Sequence, residues 1–330
     1  MGKVLVTGGL GFIGSNFVRY ILQETSYDIT NVDKLTYAGN PANLNDIENN
    51  SRYTFVKGDI CDKELMNHLV SRCEVVVNFA AESHVDRSIL DPDAFVKTDI
   101  MGTHNLLEAV RANGKRLVHI STDEVYGSKM EGEFDEEAPL CPSSPYSSTK
   151  AGADLLCRAY YKTYKTDVVI TRSSNNYGPY QHPEKFIPLF ITNAIEGKNL
   201  PLYGTGENVR DWLHVEDNCS AILTIMEKGK AGEVYNITSK NERKNADVAK
   251  LIVEELGAPA SLITFVDDRP AHDFRYAITN NRLLALGWKS RWEFEDGLKQ
   301  TIEWYKNHQK WWKKIKAGEF GVYYKKQYRK

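Results

Sequence analysis

An α/β fold is predicted, in which a doubly wound parallel sheet carries helices on both faces and a smaller C-terminal α/β lobe follows. Three observations point to it. Short β-branched runs alternate with helical stretches through the first half of the chain. Those runs are apolar nearly throughout, as in a sheet buried on both faces. A glycine-rich turn joins the first strand to the first helix. The chain has 330 residues, enough for such a sheet and a second lobe.

"KVLVTGG" opens as a strand, and "GSNFVRYILQET" follows with Phe17, Tyr20 and Ile21 at helical spacing. "DITNVDK" is the second strand. "YTFVKGDI", "VVVNFAA" and "RLVHIST" come next, separated by the helical segments "DKELMNHLVSRC" and "TDIMGTHNLLEAVRANG". "SSTKAGADLLCRAYYKTY" is a long amphipathic helix and "DVVITRSSNNYG" a further strand. After about Tyr180 prolines and glycines become frequent, and two helices are expected there, in "ADVAKLIVEELG" and "FEDGLKQTIEWYKNHQKWWKKI". The reading is a nucleotide-binding domain over 1–180 that also carries the chemistry. A loop-rich substrate lobe spans 181–330, with some segments returning to the first domain. No internal repeat or low-complexity linker interrupts it.

Composition excludes several classes. A formal charge of −2 sets up no field for nucleic acid or membrane. The basic, aromatic C-terminal stretch "WWKKIKAGEFGVYYKKQYRK" reads as a solvated helix and tail. No stretch approaches the ~20 apolar residues of a membrane helix. The N-terminus enters a strand at once, without a signal sequence, and Val6 spoils the myristoylation pattern that Gly2 opens. Five scattered cysteines form neither a disulfide framework nor a metal pattern. A cytoplasmic protein without a metal is expected, in which the glycosylation-like "NCS" and "NIT" carry no meaning.

The chemistry is concentrated in two places. In "VTGGLGFIGSN", Gly8, Gly11 and Gly14 stand between a strand and a helix. The first permits the turn, the second lets a pyrophosphate approach, and the third lets the helix pack on the strand, with open N–H groups facing the phosphates. Asp33 closes the second strand 19 residues after Gly14. A carboxylate there binds a ribose diol and repels a 2′-phosphate, which favours NAD over NADP. Asp59 falls after the third strand, within reach of adenine. Ala80 and Ala81 leave room beside the backbone of another strand end. Further on, Tyr146 and Lys150 are four apart on one helix face. An ammonium beside a phenol, with a positive nicotinamide, is expected to lower the phenol pKa, so that Tyr146 takes a hydroxyl proton as hydride leaves for NAD. Asp123 and Glu124 stand side by side at the end of "RLVHIST". Adjacent carboxylates push their pKa values apart, so one can act as acid and the other as base. Arg210 in "NVRDW" and Arg269 in "DDRPAHD" suit a diphosphate.

With Gly8, Gly11, Gly14, Tyr146 and Lys150 in place, the chain resembles the extended short-chain dehydrogenase/reductase family, whose core is a Rossmann-type sheet. The blocks "DKLTYAGNPANL", "AAESHVDRSI", "STDEVYG", "SSNNYGPYQHPEKFIP", "YGTGENVRDWLHVED" and "DDRPAHDFRYAI" are similar to its branch that dehydrates dTDP-glucose. The likeness covers nearly the whole chain. One departure is Asp99, which follows Thr98 in "KTDI" where members commonly carry Asn. The resemblance implies a lyase with tightly held NAD. Carbon 4 of the hexose is oxidised, water leaves across carbons 5 and 6, and the hydride returns to carbon 6. It implies Glu124 as the carbon 5 base, Asp123 as the acid for the carbon 6 hydroxyl and Thr122 as the partner of the carbon 4 oxygen. It extends the cofactor contacts to Phe12, Ile13, Lys34, Leu35, Thr36, Ile60, Ser83, Thr98 and, near the nicotinamide, Asn175. On the substrate side it adds His84, Asn176, Lys185, Pro201, Tyr203, Asn245 and His272. It further implies a homodimer paired through the helices around Thr103–Ala112 and Ala151–Tyr164.

Overall fold

The computed structural model describes residues 2–268 and 272–318. β1 (Lys3–Thr7) leads through the glycine turn to α1 (Phe12–Glu24), and β2 (Asp28–Asp33) and β3 (Tyr53–Lys57) follow. Then come α2 (Lys63–Val70), β4 (Val75–Asn78) and two short helices, α3 (Val85–Leu90) and α4 (Pro92–Phe95). A π-helical stretch, Val96–Gly102, runs directly into α5 (Thr103–Asn113). β5 (Arg116–Thr122), α6 (Pro145–Tyr164) and β6 (Val168–Ser173) complete the first half. The rest holds β7 (Asn175–Tyr177), α7 (Phe186–Ile195), β8 (Leu200–Tyr203), β9 (Val209–His214), α8 (Val215–Lys228) and β10 (Val234–Ile237). After these come β11 (Glu242–Lys244), α9 (Asn245–Leu256), β12 (Ile263–Val266), α10 (Asn281–Ala285), α11 (Phe294–Asn307) and α12 (Gln309–Ala317).

Seven strands form one parallel sheet in the order β10-β6-β5-β4-β1-β2-β3. This is the Rossmann arrangement with one strand added at the edge. The chain reverses direction of travel between β1 and β4. At such a switch point the loops diverge and leave a crevice outside the carboxyl ends of the strands. Thr7 pairs with Asn78 at that line, while β5 continues past it to Thr122, opposite Ser173 of β6.

Side chains of successive strand residues point to opposite faces, so each strand feeds two cores. Val4, Val6, Val77 and Ile120 pack with Phe17, Val18 and Ile21 of α1 and with Ile222 and Ile225 of α8. Leu5, Val76 and Leu117 pack on the other face with Met66 and Val70 of α2, Leu106 and Val110 of α5, and Cys157 and Tyr160 of α6. The later segments build a separate core around Phe190, Trp212, Ile252, Phe294, Ile302 and Trp312. Two elements from the second half nevertheless return to the large sheet: α8 lies on α1, and β10 pairs with β6.

The region after Tyr180 is richer in structure than its prolines suggest. α7 and α8 lie where loops were expected. Pro188 sits in the first turn of α7, where backbone N–H groups have no partner to lose. The expected last helix is two, α11 and α12, divided at His308.

Candidate active site

The glycine turn is built by contact. Gly8 has φ +70°, and a Cβ on it would lie 2.6 Å from the Ala80 backbone nitrogen. A Cβ on Gly14 would meet the Gly8 carbonyl oxygen at 2.4 Å, so only glycine lets α1 start this close to β1. Gly11 is the N-cap of α1 and offers no side chain to the first N–H groups, which line the cleft mouth with Phe12 and Ile13. Those open donors and the helix dipole suit a pyrophosphate. Asp33, 7% exposed, accepts hydrogen bonds from Leu10 N (3.0 Å) and Leu35 N (2.8 Å). The turn holds the carboxylate at the cleft wall, where each oxygen keeps a lone pair for a ribose diol. Lys34 pairs with Asp59 at 2.7 Å, and Thr36, Ile60, Ala80, Ala81, Ser83 and Thr98 continue the wall. A dinucleotide fits these residues. Leu35 is not among the lining residues. Its φ is +62°, and its side chain packs against the sheet core, so its part is the backbone N–H that orients Asp33.

The reactive groups stand where β5 ends. Thr122 Oγ1 accepts from Glu124 N at 3.2 Å and caps the short turn Asp123–Tyr126. That turn bends both carboxylates out of the strand. Asp123 is 2% exposed; one carboxyl oxygen faces Thr122 Oγ1 at 3.3 Å and the other is buried without a partner. Burial, then Glu124 and Asp211, push its pKa well above the usual carboxylate range, against Arg210 and Thr122. Its surroundings therefore favour the proton-bearing form of the carboxyl. Pro145 occupies the first turn of α6 behind a Ser144–Ser147 capping box, which fixes the helix start and with it Tyr146 and Lys150. Lys150 donates to the Ile120 carbonyl at 2.6 Å.

Tyr146 stands in a more acidic setting than its spacing to Lys150 implies. The Tyr146 phenol is pushed well above 10, by burial first and then by Glu124, Asp99 and Asp123, with relief from Thr122. The spacing brings Lys150 onto the same helix face, but three carboxyls surround the phenol as well. Lowering of the phenol therefore depends on positive charge arriving in the cleft.

A second cleft opens from the first, and Glu124, Asn175, Asn176, Gln181, Glu184 and Lys185 line both. His84, Pro201, Tyr203, Arg210, Asn245 and His272 line the second. Arg210, 5% exposed, donates to the carbonyls of Val209, Asp273 and Phe274 and lies 4.4 Å from the centre of the Tyr276 ring. Lys185 donates to the Ser83 carbonyl at 2.6 Å, and Tyr203 to Asp86 at 3.2 Å. The side-chain oxygens of Asn175, Asn176 and Asn245 are buried without partners, as acceptors waiting on a ligand are. Arg269 lies outside the described residues. Among the described residues, no group of three His, Cys, Asp or Glu side chains could hold a metal ion.

Several lining residues were not singled out in the sequence. Glu82 and Asp86 fall inside "AAESHVDRSI", and their charge beside a cofactor strand was the available signal. Gln181, Glu184 and Tyr276 likewise lie in quoted blocks. Trp311 and Ile315 line the first cleft from the far end of the chain, and nothing local marks them.

A family model described as GDP-mannose 4,6 dehydratase matches residues 5–301. The chain is 49% identical to a dTDP-glucose 4,6-dehydratase of Streptomyces niveus over 322 residues, covering 96% of each. It superposes with TM-score 0.93 and 46% identity on a crystal structure of that enzyme from Streptomyces venezuelae with NAD bound, covering 95% of this chain and 99% of that one. A Bacillus anthracis enzyme of the same description, also in complex with NAD, gives TM-score 0.90 at 50% identity, with 96% and 100% covered.

Proposed function

The chain belongs to the GDP-mannose 4,6 dehydratase family, and on that premise we infer that Thr122, Asp123, Glu124, Tyr146 and Lys150 carry out the dehydration of dTDP-glucose. The activity is that of a dTDP-glucose 4,6-dehydratase, a hydro-lyase that uses NAD and yields dTDP-4-keto-6-deoxyglucose. NAD, held along the glycine turn, Asp33 and the ends of β4 and β5, supplies a reversible hydride acceptor.

Tyr146 takes the proton of the carbon 4 hydroxyl, and Thr122 hydrogen-bonds the oxygen that becomes the ketone. That ketone turns the carbon 5 hydrogen into an acidic one, and Glu124 removes it. Asp123 gives its proton to the carbon 6 hydroxyl, which leaves as water; one proton from carbon 5 and one hydroxyl from carbon 6 make up that loss. Glu124 returns a proton, exchanged with solvent, to carbon 5 as hydride returns to carbon 6, and the proton that Tyr146 took passes through solvent to Asp123, which resets all three groups. Arg210 and Asn245, with His272, hold the diphosphate and nucleoside, and Pro201 and Tyr203 flank the base. The observation that carries this reading is the buried Asp123, whose surroundings favour its protonated form, beside Glu124, which lines both clefts. Oxidation and reduction at carbon 4 alone would need no such acid.

The reading also includes a cofactor that stays bound, a cytoplasmic setting and a homodimer. Met101, Leu155 and Tyr164 expose apolar surface on and beside α5 and α6, which supports pairing through those helices. Light scattering is expected to give about twice the chain mass of 37.5 kDa. The deciding test is proton NMR of the purified protein with dTDP-glucose in deuterated water and no added NAD. A new 6-methyl signal with deuterium at carbon 5 is expected. Turnover with UDP-glucose alone would overturn the substrate, and turnover only with added NAD would overturn retention of the cofactor.

A further inference from the structure

We propose that Asp99 is a positioning residue for the oxidation half of the reaction, tying the cofactor-lining loop after β4 to the helix of Tyr146 and Lys150 and placing a negative charge beside the phenol. The proposal rests on the role given to Tyr146 above.

The geometry is direct. Asp99 is 1% exposed and sits in the π-helical stretch Val96–Gly102. One carboxyl oxygen accepts from the Glu82 backbone N–H at 3.0 Å, the other from Thr149 Oγ1 at 2.8 Å. Glu82 follows Ala80 and Ala81 along the cofactor wall, and Thr149 precedes Lys150 on α6. Thr98, one residue back, lines the same cleft. One side chain thus joins three elements that border the cofactor. A widened helical turn of this kind frequently marks a functional site, because it turns an extra residue inward.

The charge faces several others. From α6 come the Lys150 ammonium and the Tyr146 phenol, and from the loop after β4 comes Glu82. Burial pushes Asp99 up to about 6, against Lys150 and the two hydrogen bonds. Burial and then Asp99 push Glu82 up to about 7; Lys34 and Arg87 oppose this and Asp91 adds to it. Asp99 therefore gains its negative charge as pH rises through about 6. Each such charge opposes ionisation of Tyr146, and Glu124 acts on the phenol in the same sense.

Asparagine, the residue members commonly carry at this place, would keep both hydrogen bonds: its oxygen accepts from Glu82 N–H and its amide donates to Thr149 Oγ1. Asp99→Asn therefore removes the charge and keeps the position, while Asp99→Ala removes both.

The test is stopped-flow formation of NADH when the NAD-loaded enzyme meets dTDP-glucose, from pH 5 to 9. Asp99→Asn is expected to react about threefold faster than the parent near pH 7.5, because one of the charges that oppose ionisation of the phenol is gone. The ratio should return to about one near pH 5, where the parent's Asp99 carries a proton. Asp99→Ala should be about tenfold slower at every pH. Superimposable profiles for Asp99→Asn and the parent, or a uniform loss with no change of shape, would overturn the charge role. A parent-like Asp99→Ala would overturn the positioning role. Tyr146→Phe runs in parallel: rapid NADH formation in that variant would instead overturn the assignment of Tyr146.

Discussion

Burial shifts Asp123 toward its protonated form, and this has opposite consequences for stability and chemistry. Its pKa is raised on folding, so the unfolded chain releases the proton first as pH rises. Stability is therefore lost above about pH 4, the ordinary carboxyl value, and the loss persists at neutral pH. Asp123→Asn should remove that burden. Calorimetry at pH 7.5 is expected to show a thermal midpoint higher by about 1–3 °C, while elimination slows by about 10²-fold or more. Glu124→Gln should behave differently. It should accumulate NADH on mixing with substrate yet lose elimination by about 10²–10⁴-fold. Its oxidation step should also reach half-maximal rate at lower pH, because Glu124 is the foremost charge raising Tyr146. Full turnover in that variant would show that another group takes the carbon 5 proton.

The elements legible in the sequence were those whose own residues set the pattern. β1, β4, β5 and β6 carry apolar runs, β2 sets Ile29 and Val32 among polar residues before Asp33, and α1, α2, α5, α6 and α9 carry a clear helical stripe. Asp123, Glu124, Tyr146 and Lys150 were legible too, since each falls at a strand end or on one helix face. What failed was local reading of context. Pro188 and the neighbouring glycines masked α7 and α8, whose stability comes from tertiary packing on α9 and α1 rather than from propensity. The raised phenol was not legible because burial, and then Glu124 and Asp99, act on Tyr146 only through the fold. The most distant surprise is α12. Trp312 is fully buried in the C-terminal core, while Trp311 turns to the first cleft and donates to Asn43 at 2.9 Å. The described start of the basic, aromatic segment read as solvated, residues 311–318, thus gives Trp311 and Ile315 to the wall of the first cleft, and the rest of it lies outside the described residues. Trp311→Ala is expected to lower the NAD content of the purified protein and to make turnover depend on added NAD, with little change in thermal midpoint. Unchanged NAD content would mean that α12 only covers the fold.

Across the whole molecule, a polar seam runs through the apolar sheet. Thr7 Oγ1 donates to Asn78, and Asn78 Nδ2 meets His119 Nδ1 at 3.3 Å. His119 Nε2 faces Asp154 at 3.6 Å, and Arg172 donates to Asp154 at 2.8 Å and to the Tyr126 hydroxyl at 2.7 Å. Tyr126 donates to Asn236 of β10. The seam thus crosses β1, β4, β5, β6 and β10 and takes in α6. Burial, then Lys150 and Arg172, push His119 far below its ordinary value, so its ring is neutral and the seam's charges are Arg172 and Asp154. Both are fully buried, and such a pair contributes little net stability because desolvation offsets the attraction. Removing one member is another matter. Arg172→Met should cost about 3–5 kcal/mol, since it strands Asp154 in the core. The double change Arg172→Met with Asp154→Leu should restore most of that, as two apolar side chains need no partner. Urea midpoints of the parent, both single variants and the double variant give the coupling directly. If the double variant regains stability yet loses turnover, the seam serves to hold α6, and with it Tyr146 and Lys150, against β5. If it is as unstable as the single variants, the hydrogen bonds to Tyr126 and Asn236 matter more than the ion pair, and the seam is part of what holds β10 to the sheet.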